Sequence, residues 1–246
     1  MATLVYPEIV ATIGNYELTQ GFQMEIVSSQ DAPYDYGQLR FLKALRDELV
    51  IQEHDKVYIE AGYDGELEDI FTGNVTIPDQ EEVMFKDDMI LLDDVTITET
   101  FLSVVPQEVI EYSLKQAGIE KYHLSSKAYP QKEVVVIAES PFLDVVGIVH
   151  ELWGIKEPAF FYKDTFYWGT YEDDSKSYYE FEYGDNIINL FYDDGLWELE
   201  TILMPIRHSQ TIAVKHPDLE GDFEVKKVVT VMNDKGARTK LYFRSE

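Results

Sequence analysis

The stretch VYIEAGYDGELEDIFTGNVTI, from Val57 to Ile77, alternates apolar and polar residues on both sides of an Asp64-Gly65 pair. Val57, Ile59 and Ala61 share one side of a pleated strand and Tyr58 and Glu60 the other, because successive side chains point to opposite faces. Asp and Gly are turn formers, so the stretch reads as a β-hairpin with an acidic tip. The tip carries Asp64, Glu66, Glu68 and Asp69, which raises the question of a cation or catalytic site. A calcium loop needs acids at alternate positions, a glycine at the sixth and a bidentate glutamate at the twelfth. Here the glycine directly follows the first aspartate, and the twelfth position counted from Asp64 is Val75. The calcium pattern fails. A pair of catalytic carboxylates could come from anywhere in a fold, but at a hairpin tip nothing need desolvate them or shift their pKa values. The acids are read as a solvated turn.

The same grammar fills most of the chain. Gly21 to Ser28 alternates Phe22, Met24 and Ile26 with polar neighbours, and Gly37 to Leu49 reads as a strand running into a short helical turn. Met89 to Thr98 is expected to supply a last strand or two of a first β domain. The pattern then changes. Pro106 to Gly118 has a proline at a first helical position, acids early, Lys115 late and a glycine just past the end, with Val109, Ile110, Leu114 and Ala117 as its apolar stripe. A β-branched run follows from Glu133 to Ala138. A second helix is expected from Ser140-Pro141 to Gly154, with Leu143, Val146, Val149 and Leu152 facing inward. Strands resume at AFFYKDTFYWG, a tight hairpin about Lys163-Asp164. They continue as a meander over Thr211 to Lys215, Phe223 to Met232 and Ala237 to Arg244, with turns at PDLEGD and NDKG.

The expected class is therefore mainly β with an α/β insert (α+β): two small β-barrel domains flanking a helix-containing segment. The expected boundaries are 1–100, 101–157 and 158–246. A faint internal echo supports two similar β domains. IEAGYDGELEDIFTGNVT and AVKHPDLEGDFEVKKVVT share a short strand, an acidic turn and a strand ending in Val-Thr.

Charge narrows the function. There are 47 Asp and Glu against 20 Lys and Arg, a net charge of -27, and no basic run to displace counterions from phosphates. Specific nucleic-acid binding is not expected. Strong net charge keeps a protein dispersed, and acids can also line a surface that nucleic acid must pass without sticking. The chain has no cysteine, which excludes disulfides and thiolate metal sites and suits a reducing cytoplasm. No basic leader opens it and no apolar run approaches the ~20 residues of a membrane helix, so neither secretion nor membrane insertion is expected.

The search for chemistry yields no catalytic, cofactor-binding or metal-ligating residue. The pairs Asp87-Asp88, Asp93-Asp94, Asp173-Asp174 and Asp193-Asp194 sit where strands end and are read as turns. His150-Glu151 begins like the zinc-protease helix, but Gly154 stands where the second histidine is required. His150 is read as a helix-end residue near the negative end of the dipole. His54 beside Asp55 and His208 beside Ser209 are read as loop residues, not members of a triad. No phosphate-binding glycine loop is present. The expectation is a protein that is not an enzyme and has no cofactor.

One family fits these gaps. The residues Asp55, Val57, Ile59, Gly62 and Tyr63, then Phe71, Gly73 and Val75, resemble the hairpin of phage baseplate hub proteins of the late control D type. That family includes the tail hubs of Mu-like phages, PBSX-like prophages and the T-even hub, with type VI secretion spike proteins as relatives. The resemblance runs on through the helical segments, the aromatic hairpin FFYKDTFYWG and a closing barrel with a lead-in containing Pro205 and turns at Glu220-Gly221 and Lys235-Gly236. It implies a structural hub of a contractile tail or phage-like particle. Such a hub is a homotrimeric ring adapting a sixfold tail tube to a threefold spike, with the first barrel facing the tube. The implied partners are tail tube protein, spike protein, tape-measure protein and other baseplate proteins. The implied location is the virion tail baseplate, assembled in the bacterial host cytoplasm. Appended spike or lytic domains are not expected at this length. Two alternatives stay open: a tail-tip protein of a non-contractile phage, and a carbohydrate-active β protein using paired carboxylates and surface aromatics such as Tyr167 and Trp168.

Overall fold

Alternating runs become strands wherever one face can be buried, and the turn residues set where each strand stops. The computed structural model describes residues 6–169 and 179–245. The chain is mainly β and divides into two compact units, one of residues 88–174 and one of residues 1–87 with 175–246. The sequence-based cuts fell at 100 and 157.

The β unit starts with β1 (Glu8–Ile13), β2 (Tyr16–Leu18), β3 (Phe22–Ser29) and β4 (Tyr36–Phe41). A four-residue helix α1 (Lys43–Arg46) follows, then β5 (Lys56–Tyr63), β6 (Glu66–Pro78) and β7 (Glu82–Lys86). Phe22, Met24 and Ile26 of β3 are buried, as their alternation requires. The Gly37 to Leu49 run forms a strand to Phe41 and then the short helix, as expected.

The β5–β6 hairpin closes through Asp64 and Gly65 at φ 55° and 79°, the paired left-handed residues of a turn whose twist matches that of the strands. Val57, Ile59, Phe71 and Val75 are buried, and Ile70 is the extra residue of a bulge between the Ile59–Phe71 and Glu60–Asp69 pairs. Two glycines of this hairpin are required by close approach. A Cβ on Gly62 would lie 1.8 Å from the Glu66 carbonyl oxygen, and one on Gly73 2.1 Å from that of Lys86.

The unit of residues 88–174 begins with a 3-10 helix over Asp88–Leu92 that buries Met89 and Leu92, where a strand was expected. The strand β8 starts later and runs Thr96–Val104. Four consecutive apolar residues flanked by aspartates do not alternate, and a tight turn buries two of them on one side. Then come α2 (Pro106–Gln116), β9 (Tyr122–Leu124), β10 (Lys132–Pro141), α3 (Phe142–Trp153), β11 (Ala159–Tyr162) and β12 (Thr165–Trp168).

Helix α2 buries Val109, Ile110 and Leu114, and the Val105 N–H donates to the Glu108 carboxylate at 2.9 Å, satisfying one group at the helix start. Gly154 caps α3 in the left-handed region. The buried face of α3 is Phe142, Val145, Val146 and Val149. Of the four residues expected inside, Leu143 is half-buried and Leu152 exposed. Strands β8 and β10 form a two-stranded sheet, while β11 and β12 form the expected aromatic hairpin with β9 parallel to β12. This hairpin lies in the unit of residues 88–174.

The β unit resumes with β13 (Tyr179–Glu182), β14 (Ile187–Asp193), β15 (Leu196–Thr201), β16 (Thr211–His216), β17 (Leu219–Asn233) and β18 (Gly236–Phe243). Its main sheet runs β14-β15-β18-β17-β3-β4-β7-β6-β5-β1-β2, with β16 also on β17 and β13 on β16. The two echoing stretches form equivalent hairpins, β5–β6 and β16–β17, each with a long second strand. Two cores result. The first gathers Ile13, Leu39, Val57, Ile59 and Phe85 with Leu203 from the loop after β15 and Ala237 from β18. The second gathers Phe181, Leu199, Ile212, Val225, Leu241 and Phe243.

Glycine substitutions separate close approach from mere turn geometry. Gly73→Ala is expected to lower stability by about 3 kcal/mol, since overpacking a strand pairing displaces backbone. Gly147→Ala, on an exposed helix position with nothing within 4 Å of the added Cβ, is expected to raise it by about 0.5–1 kcal/mol. Chemical denaturation of both variants checks the pair.

Candidate functional site

The strongest concentration of buried polar chemistry lies where the two halves of the β unit meet. Strands β3 and β17 pair antiparallel from Lys227–Ser29 to Met232–Met24, so a strand of each half shares one ladder. At the end of this ladder the loop after β3 brings in Asp35, and the loop before β16 brings in Arg207, His208 and Ser209. The Arg207 guanidinium donates to Asp35 Oδ2 at 2.9 Å, with the two side chains 12% and 7% exposed. Asp35 Oδ1 accepts the Ser29 N–H at 3.1 Å, and the Asp35 N–H donates to Asp87 Oδ2 at 3.0 Å. Gln30 donates to Ser209 Oγ at 2.7 Å and to the Glu224 carboxylate. Three chain segments far apart in sequence are thereby tied through one buried residue, Asp35.

His208 completes the cluster. Its Nδ1 is 2.8 Å from Ser209 Oγ and its Nε2 is 3.7 Å from Asp35 Oδ1. Burial, with the Arg207 cation adding to it and Asp35 opposing it, lowers its pKa to about 4, so the ring is neutral at pH 7. Burial pushes Glu224 up, but the hydrogen bonds from Gln30 and Lys226 outweigh it and leave its carboxyl below the usual range.

Serine, histidine and aspartate in a row invite comparison with a hydrolytic triad, and the geometry argues against one. The histidine is 3% exposed. The Asp35 carboxylate is committed to Arg207, and Ser209 Oγ already accepts from Gln30. A nucleophile must reach a substrate, and a general base must be free to take its proton. These groups instead satisfy one another across a strand junction. The arrangement is a polar latch.

The residues singled out from sequence fall elsewhere. Asp64, Glu66, Glu68 and Asp69 stand at the β5–β6 tip, where the Gly65 N–H donates to Glu8 at 3.2 Å and Thr72 donates to Asp69 at 3.1 Å. Among the described residues no group of three or more His, Asp or Glu is placed to hold a metal ion. Asp93-Asp94 lies at the turn before β8, and Asp194-Gly195 forms a left-handed β14–β15 turn. Asp87-Asp88 is a correction. Both residues are buried, and Asp87 accepts from the Asp35 backbone rather than facing water. Asp173-Asp174 lies outside the described residues.

His150 is a second correction. Its Nε2 accepts the Trp168 indole N–H at 2.8 Å, and burial lowers its pKa, so it is a neutral acceptor rather than a dipole-stabilised cation. Trp168 itself is fully buried, which removes it from the surface aromatics. Tyr167 stacks between Phe160 and His123 at 5.5 and 5.1 Å. His54 is an exposed loop residue at φ 71°. Asp35 and Arg207 were missed. The available signal was the lone Arg207 in LMPIRHSQTI, a charged side chain flanked by residues that read as core.

No family model matches the chain, and no curated protein is detectably similar to it. Solved structures are. A prophage MuSo2 43 kDa tail protein from Shewanella oneidensis superposes with a TM-score of 0.69 at 12% identity, over 96% of this chain and 97% of that one. A tail protein from Neisseria meningitidis superposes with a TM-score of 0.72 at 10% identity, over 98% and 97%. The chain has the fold of these tail proteins. An Escherichia coli component of the type VI secretion system, described as similar to the T4 tail proteins gp27 and gp5, follows with a TM-score of 0.66 at 13% identity, over 96% of this chain and 76% of that one.

The latch makes a pH prediction with a definite sign. His208 has a folded pKa of about 4 against an ordinary value of 6.5, so between these values the unfolded chain binds the extra proton. Stability from this group is complete above pH 6.5 and is lost as pH falls toward 4, by about 3 kcal/mol. His208→Gln is expected to flatten that part of the stability–pH curve. Asp35→Asn, which leaves Arg207 buried without its counter-charge, is expected to cost about 3–5 kcal/mol at pH 7. Denaturant titrations from pH 4 to 8 check both.

Proposed function

We propose that the chain is a structural component of a phage tail or phage-like particle, and specifically its baseplate hub. In this reading it is a homotrimeric ring that adapts a sixfold tail tube to a threefold spike in a contractile tail, without catalysis. The observation that carries the proposal is the fold likeness to two tail proteins over nearly the full length of all three chains. Two echoing β halves in one chain support it, since three such chains would offer six similar faces on one side and three equivalent chains on the other. The first β segment, residues 1–100, would face the tube. The partners would be tube, spike, tape-measure and other baseplate proteins, met during assembly in the host cytoplasm. The polar latch fits a load-bearing role, because it fixes one β half against the other without offering a reactive group to solvent.

The charge of -27 gains a mechanical meaning if part of it lines the ring's channel, where DNA or tape-measure protein must pass without electrostatic trapping.

Sedimentation and electron microscopy test the reading. The expected result is a mass of three 28.5 kDa chains and a ring at the end of the tail tube. A chain that stays monomeric and is absent from purified tails overturns it. Carboxylates crowded within a Debye length of ~8–10 Å repel more as salt is removed, so the trimer fraction is expected to fall from ~150 mM to ~10 mM salt. A trimer indifferent to salt would place the acids apart from one another.

A further inference from the structure

The β8–β10 sheet has one face packed on α2 and α3 and another left bare. Val135 and Ile137 are buried on the inner face. On the outer face, Leu102 is 71% exposed, Val134 56% and Val136 62%. They are contiguous, because Val134 pairs directly with Leu102, and Val136 with Thr100. Thr98 and Ala138 extend the face, and both are exposed and uncharged. In a chain with 27% charged residues, an outward face with six neighbouring positions free of charge is a departure from its surroundings. Ordinary sheet economy puts charge on a solvated face and leaves aliphatics only where something covers them.

The surroundings define what can cover it. Glu139 stands exposed at the bulge of β10 beside the outward Ala138, and Asp93 and Asp94 are exposed just before β8 at the same end of the sheet. The nearby cation, Lys132, lays its ammonium 5.5 Å from the centroid of the Trp153 ring instead of projecting freely. The face therefore has an apolar centre and an acidic end. A second copy of this chain would bring its own net charge of -27 toward that acidic end, and a basic surface is the better complement to it.

We propose that the outer face of β8–β10 docks a different protein, one whose contact surface is aliphatic at its centre and carries Lys or Arg at its rim. Exclusion of water from Leu102, Val134 and Val136 supplies the affinity, and the opposed charges supply orientation and rate. The inference rests on the tail reading only for where that partner is found, namely among the other proteins of the same particle.

The absence of cysteine from the sequence makes the test direct, since one introduced thiol is unique. Val136→Cys, labelled with a benzophenone maleimide, is incorporated into particles and irradiated, with Glu151→Cys on α3 as the control position. Mass spectrometry first establishes that the labelled chain is in the purified particle; its absence there tells against the tail reading. With the chain present, the expected result is one adduct at Val136→Cys and none at Glu151→Cys. The adduct should map to an aliphatic surface of another particle protein flanked by basic residues. An adduct to a second copy of this chain, to a surface with an acidic rim, or no adduct in intact particles overturns the docking proposal. As a second readout, Asp94→Lys with Glu139→Lys is expected to weaken the contact at least tenfold at low salt while leaving the melting temperature unchanged. Unchanged or tighter binding overturns the assigned charge complementarity.

Discussion

The β unit depends on one strand pairing. β3 belongs by sequence to the first β segment and β17 to the second, and their ladder makes a single sheet of two. The other strands of the main sheet are reached from this seam through antiparallel neighbours, and β13 is added in parallel on β16. The seam is closed at one end by Asp35, which holds Arg207 and accepts from Ser29 while its own N–H is taken by Asp87. A buried ion pair of this kind adds little net stability against an apolar replacement, but it penalises every arrangement that separates its members. It specifies how the halves sit, where apolar packing alone would tolerate sliding.

That specificity suits the proposed role. A ring built from repeated β halves needs its internal angle fixed, because an error in one chain would recur at every copy. The seam achieves this with buried groups that bond to one another across it. His208 is kept neutral by burial, and Ser209 Oγ accepts from Gln30. The same features that resemble a catalytic triad in composition make it a fastening in geometry.

Much of this was legible in the chain, for physical reasons that differ by element. Period-two alternation revealed β3 and the β5–β6 hairpin because one face of each is buried, and the turns at Asp64-Gly65 and Lys163-Asp164 form where Asp64, Gly65 and Lys163 enter the left-handed region. Gly62 and Gly73 stood out in the family-like pattern, and the structure supplies the reason in their carbonyl contacts. Helix α2 was bounded by its proline and glycine. The orientation of α3 was misjudged because its sequence is apolar almost all round, so spacing alone could not choose Val145 over Leu143. Strands β13 to β15 escaped because their apolar and acidic residues alternate weakly. The latch was invisible for a deeper reason. Asp35, Asp87, Arg207 and His208 are joined only by the fold, and no local spacing encodes a contact across 172 positions.

Native-state hydrogen exchange across the seam tests the central claim most directly. If β3 and β17 weld the two halves into one body, amides from Met24 to Ser29 and from Val228 to Met232 will exchange only with global opening of the β unit. They will do so at the same free energy as the most protected amides around Ile59 in one core and Leu241 in the other. Two distinct opening energies, with the seam exchanging before either core, would contradict the account and make the halves separate domains that merely touch.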